Sequence, residues 1–124
     1  MLIPELKKIS CLDYDLTEFP PEIRDNFCIL LILKIGFAGK TNMDTFNVAV
    51  CSPKWLANHL EKPQSGRHMI IMQSFDFPEL LILIRRILNH CQAETENLAI
   101  QKMTRYFAWE LEDTSSLCYP YFYF

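Results

Sequence analysis

The sequence predicts an α+β domain: an antiparallel sheet of about five strands, with two to three helices gathered mainly on one face. Three observations predict it. Strand-period alternation recurs in separate stretches along the chain. Hairpins and short links connect those stretches, which favours antiparallel pairing. Stretches after Ser52 and Asp76 carry helical spacing instead, each opening on a capping residue.

Residues 2–12 alternate loosely, with Leu6 and Ile9 among Glu5, Lys7 and Lys8, and read as the first strand. Residues 13–25 contain Pro20-Pro21, which removes two backbone donors and restricts the residue before each ring. They read as an exposed loop with a single helical turn at 21–24. Residues 27–35 are the most apolar segment. Phe27, Ile29, Leu31, Leu33 and Ile35 share one face, and Cys28, Leu30, Ile32 and Lys34 the other. With both faces largely apolar, this is a central strand. A turn at 36–44, with Gly39 and Asn42, joins it as a hairpin to a strand at 45–51, where Phe46, Val48 and Val50 alternate with polar or small residues.

Ser52-Pro53 reads as a helix start, with Ser52 as N-cap and Pro53 at the first helical position. Trp55, Leu56, His59 and Leu60 follow at helical spacing. After the polar link ending at Gly66, residues 68–75 read as the fourth strand. Asp76 with Glu79 three residues on opens a helix to about residue 92. Leu80, Ile84, Ile87, Leu88 and Cys91 form its buried stripe, opposite Arg85, Arg86 and Asn89. A second helix spans 95–104, with Leu98 and Met103 inward. Residues 105–112 alternate again, with Phe107, Trp109 and Leu111 on one face. Residues 1–113 thus form one domain, and 114–124 an aromatic C-terminal extension.

The chain has 124 residues and a formal net charge of −3. That length supports one domain with its own core. The charge argues against direct nucleic-acid binding, which usually leaves a basic footprint, and suits a basic protein partner. The longest apolar runs, 29–33 and 80–84, are far too short to span a bilayer, so no membrane association is expected. The opening residues MLIPELKK do not read as a secretory signal. The five cysteines, Cys11, Cys28, Cys51, Cys91 and Cys118, are scattered and lack C-x-x-C spacing. They read as free thiols in a reducing cytoplasm, not as a disulfide framework or zinc site. No cofactor is implied.

Ordered landmarks along the chain resemble one family. They are Asp25-Asn26-Phe27, then Phe46-x-Val48-x-Val50-Cys51-x-Pro53-Lys54-Trp55-Leu56, then Gly66-Arg67-His68, and last Trp109-Glu110-Leu111-Glu112-Asp113. The pattern is similar to the immunity protein 8 family of bacterial polymorphic toxin and contact-dependent inhibition systems, over about residues 9–113. The resemblance implies a small cytoplasmic protein, not an enzyme, that binds and neutralises a cognate toxin domain by occluding its active site. The toxins of such systems are often nucleases. The aromatic tail departs from the family pattern.

With that resemblance, two acidic sets become interface candidates. The first is Asp13, Asp15, Glu18, Glu22 and Asp25; the second is Glu110, Glu112 and Asp113. Clustered carboxylates would complement a basic substrate cleft and speed encounter. As a plain reading, they are a solvated loop and strand end. Trp55, on a short helix, is either an anchor at the interface or ordinary packing. The alternative function is a small enzyme or ligand-binding domain with a pocket near Cys51, His59 and His68. The tail, with Tyr119, Tyr121 and Tyr123 alternating with Pro120, Phe122 and Phe124, is expected to add an edge segment or to build a homodimer.

Overall fold

A computed structural model describes residues 1–111. Its strands are β1 (Pro4–Cys11), β2 (Cys28–Phe37), β3 (Met43–Cys51), β4 (Met69–Ile71) and β5 (Ala108–Trp109). Its helices are α1 (Pro53–His59), α2 (Phe77–His90) and α3 (Glu96–Met103). The expected α+β fold is present. The tail, Glu112, Asp113 and the homodimer expectation lie outside the described residues.

The sheet order is β1-β2-β3-β4, with β5 also on β3. β2 is the centre, antiparallel to β1 and to β3, as its two apolar faces required. Gly36 faces the hairpin closely: a Cβ there would lie 2.9 Å from the Asn42 carbonyl oxygen, so the position needs glycine. β4 and β5 lie end to end on the same side of β3. β4 takes Ala49–Cys51, in parallel, and β5 takes Phe46 and Asn47, antiparallel. The parallel pair follows from α1, which carries the chain over the sheet between β3 and β4.

Alternation along β3 divides the interior in two. Phe46, Val48 and Val50 point into the main core with Ile29, Leu31, Leu33 and Ile35 of β2. There they meet Leu80, Ile84 and Leu88 of α2, and Ala99, Ile100 and Met103 of α3. Ala49, Cys51 and Ala108 point the other way, into a smaller cluster with Cys28, Leu30, Trp55, Leu56 and Met69. α2 and α3 therefore cover one face, and α1 part of the other.

The caps explain where the helices start. Asp76 accepts the Glu79 backbone N–H at 3.1 Å, and Thr95 Oγ1 accepts the Leu98 N–H at 3.2 Å. Leu98 itself is exposed, against expectation: the stripe that meets the core is Ala99, Ile100 and Met103, one position round the helix. β4 is only three residues long. After the Met72 N–H reaches the Cys51 carbonyl, the chain leaves the sheet so that the Phe75 N–H can bond the Arg24 carbonyl at 2.7 Å. β5 is shorter than its alternation suggested. The N–H groups of Tyr106 and Phe107 still bond the Met103 carbonyl and belong to the turn leaving α3. Phe107 is fully buried, Trp109 is half-buried, and Leu111 is exposed.

Phe107→Ala should therefore cost about 3–5 kcal/mol, as for a fully buried aromatic, and Trp109→Ala only about 2 kcal/mol. Denaturant unfolding of the two variants checks this; equal losses would mean that Trp109 is as deeply packed as Phe107.

Candidate functional site

The acidic loop between β1 and β2 is held as a firm shelf. Leu16 and Phe19, both in its first half, are buried, as is Phe27 at its end. Phe19 stacks on Phe75 at 4.1 Å between ring centroids and meets Phe27 edge-on at 5.5 Å, while Tyr14 closes on Phe19 at 5.1 Å. Arg24 completes the clamp. Its guanidinium donates to the Phe75 carbonyl at 3.1 Å and to the Phe19 carbonyl at 3.4 Å. With its own carbonyl receiving the Phe75 N–H, Arg24 ties the loop to the segment entering α2 at two points and braces the loop on itself at Phe19.

On this shelf Asp13, Asp15, Glu18, Glu22 and Asp25 are all exposed. Short turns at Leu16–Glu18 and Pro21–Ile23 space them. Asp15 caps the first turn, accepting from the Thr17 hydroxyl at 2.6 Å and the Thr17 N–H at 2.9 Å. Those bonds, the hydroxyl foremost, hold its carboxyl below the ordinary value of 3.8. Asp25 lies 3.8 Å from the Lys54 ammonium, which joins the shelf to the first turn of α1. Two acidic residues that the sequence suggested only as cap and first-turn groups, Asp76 and Glu79, are also exposed beside it. Asp76 lines a cleft of about 290 Å³ with Leu16, Phe19, Arg24, Phe75 and Phe77. The sequence signal for them was the run Phe75-Asp76-Phe77-Pro78, an aromatic stem that could dock on the loop.

Trp55 is half-buried on α1. Its ring stacks on His59 at 4.1 Å, nearly parallel, and packs with Leu56 in the smaller cluster. It stands one residue from Lys54, at the same end of the sheet as Asp25. Glu110 does not join this group. Its N–H bonds the Thr45 carbonyl, at the opposite end of β3 from Cys51 and the shelf.

Cys51, His59 and His68 each face a different partner. Cys51 Sγ meets Cys28 Sγ at 2.7 Å; sharing a proton with Cys28, together with burial, pushes its thiol up, away from the thiolate a nucleophile needs. His59 takes its contacts from Trp55, by stacking and through Nδ1 to the Trp55 carbonyl at 2.8 Å. His68 is buried, and its Nε2 donates to the Thr104 carbonyl at 2.8 Å. Arg67 donates to the same carbonyl at 3.1 Å, so the pair caps the C-terminal end of α3. His68 adopts φ 63°, a left-handed backbone that these contacts hold in place. Among the described residues, no group of three or more His, Cys, Asp or Glu side chains could hold a metal ion. No helix among them is long and apolar enough to cross a membrane.

The chain is thus a small α+β domain whose acidic loop is clamped to the core and meets α1 through Asp25 and Lys54. The family model described as Immunity protein 8 matches residues 4–114, and the chain belongs to that family. No curated protein and no solved structure matched the chain.

Two outcomes test the shelf. Phe19→Ala should leave the sheet intact but free the loop, giving faster amide exchange across residues 13–25 than in the core strands; uniform acceleration would mean that the loop and core open together. Thr17→Val should raise the Asp15 titration toward 3.8, measured by NMR. A lowered folded-state value adds stability above the unfolded-state pKa, and that gain is lost as pH falls through the folded one. The variant should therefore lose its share of that gain at neutral pH. An unchanged Asp15 titration would mean that the hydroxyl bond is not formed.

Proposed function

We propose that this protein neutralises a cognate toxin domain by binding it through the acidic shelf. Membership of the immunity protein family supports a toxin partner. The observation that carries the choice of surface is the clamp of Phe19 and Arg24. It anchors the loop that carries Asp13, Asp15, Glu18, Glu22 and Asp25, next to the start of α2 with its exposed Asp76 and Glu79. An anchored acidic loop loses little freedom on docking and offers a negative potential to a basic surface. The catalytic cleft of a nuclease is such a surface, so a nuclease is the toxin class this shelf fits best. Trp55 would supply the apolar anchor at the edge of the contact.

In this reading inhibition is stoichiometric rather than enzymatic: the shelf covers the toxin's active site over roughly 1,200–2,000 Å² in total. The toxin belongs to a polymorphic or contact-dependent inhibition system, and the protein acts in the cytoplasm of the cell it protects. Glu110, at the far end of β3, takes no part.

The test pairs the protein with toxin domains drawn from genes neighbouring those of immunity protein 8 family members. Co-expression should restore growth, and the purified pair should form a one-to-one complex. Changing Asp13, Asp15, Glu18 and Glu22 together to their amides should slow association by roughly tenfold or more at low salt and flatten its salt dependence, with unfolding little changed. Stopped-flow rates equal to wild type across the salt series would place the interface elsewhere. Failure to bind or protect would remove the toxin reading itself.

A further inference from the structure

Cys28 and Cys51 are the first and last residues of the β2–β3 hairpin, and they face each other in its register. The next pair outward, Phe27 and Ser52, carries the ladder bond: the Ser52 N–H donates to the Phe27 carbonyl at 3.0 Å. In an antiparallel ladder hydrogen-bonded and non-hydrogen-bonded pairs alternate, so Cys28 and Cys51 form a non-hydrogen-bonded pair. Consistent with this, the Ala49 N–H, two residues back, turns outward to the His68 carbonyl. Such pairs hold their Cα atoms about 4.5 Å apart with the side chains close, within the span that a disulfide bridges without backbone movement. Both side chains point into the smaller cluster beneath α1. The sulfurs are 2.7 Å apart, against about 2.05 Å when bonded. Cys11 packs toward the main core on the other side of the sheet, as Cys91 does, so neither competes for either partner.

We propose that Cys28 and Cys51 form a reversible dithiol–disulfide pair, closed by exchange with a small-molecule disulfide such as glutathione disulfide. The order of events follows from access. Cys28 is half-exposed, whereas Cys51 is fully buried. The Cys28 thiolate attacks one sulfur of the oxidant, forms a mixed disulfide and releases one small thiol. Cys51 then gives up its proton to water and attacks Cys28 Sγ. The mixed bond breaks and the second small thiol leaves. In total the two protein thiols lose two electrons and two protons, and the oxidant is reduced to two thiols. The second step is the slow one, because burial disfavours the Cys51 thiolate. The bond would lock the ends of β2 and β3 where Ser52 starts α1. It would thus fix the platform of Asp25 and Lys54 independently of any toxin.

The experiment exposes the full chain to excess glutathione disulfide, blocks remaining thiols with N-ethylmaleimide and maps peptides without reductant. The expected result is one linked peptide pair joining Cys28 to Cys51, with two thiols lost, and a higher unfolding midpoint that dithiothreitol reverses. Cys51→Ser should stop the reaction at glutathione on Cys28. Wild-type protein in which both cysteines remain open to N-ethylmaleimide, or in which glutathione stays on Cys28 without closure, would overturn the proposal. The peptide map of the wild-type chain decides this even if the variant fails to fold.

Discussion

The hydroxyl of Ser52 holds one end of this molecule together. It is fully buried and accepts two backbone N–H groups, from Phe27 at 3.0 Å and from Trp55 at 3.3 Å. The first is the donor at the entrance to β2, and the second is a donor in the first turn of α1. Without that oxygen both would be buried or half-buried polar groups without the partner they have here, each worth on the order of 1–3 kcal/mol. One side chain thus joins the start of β2, the end of β3 and the start of α1. Everything placed beyond those points depends on it: Asp25 two residues before Phe27, Lys54 in the helix, and Trp55 after it.

The aromatic clamp adds a second constraint to the same end. Phe19, Phe27 and Phe75 come from the loop, the entry to β2 and the approach to α2, and each touches the other two. Phe27 is therefore shared: its N–H answers to Ser52 and its ring to Phe19. The loop carries many carboxylates and two prolines and would not order itself, since like charges favour extended chain. It is ordered because a few buried apolar contacts and one arginine outweigh that tendency. Burial of Leu16, Phe19, Phe27 and Phe75 supplies the contacts, and Arg24 neutralises part of the charge while bonding two carbonyls.

Strong local chemistry was legible in the sequence. The caps at Ser52 and Asp76 stand where a short polar side chain precedes helical spacing, and each accepts the expected N–H. The two-faced apolarity of β2 was readable because both faces are covered at least in part. What was not legible depended on distant partners. β4 stops after Ile71 because Phe75 is drawn to Arg24, more than forty residues earlier in the chain. Leu98 lies outside the core because the face of α3 that meets it carries Ala99, Ile100 and Met103. Gly66-Arg67-His68 could be read as a landmark, but that Arg67 and His68 cap the end of α3 could not. For the site, the acidic loop and Trp55 were readable as a composition and a motif. The separation of Glu110 from them was not, because it depends on which end of β3 the last strand joins. The contact between Cys28 and Cys51 was likewise invisible to spacing and depends on hairpin register.

The arrangement of β4 and β5 along β3 decides how the sheet can meet another chain. A strand of three residues and a strand of two share that side, so neither offers a long row of free backbone groups. At the other margin β1 is longer, but its pairing with β2 shifts register between Leu6 and Lys8, and exposed Lys7 and Lys8 stand at the irregularity. Irregular pairing and lysine are both devices that keep an edge from being extended by a foreign strand. Among the described residues, the sheet is thus poorly suited to growth by strand addition. Recognition is left to side chains on a preformed surface, where charge and shape can distinguish one partner from its near relatives.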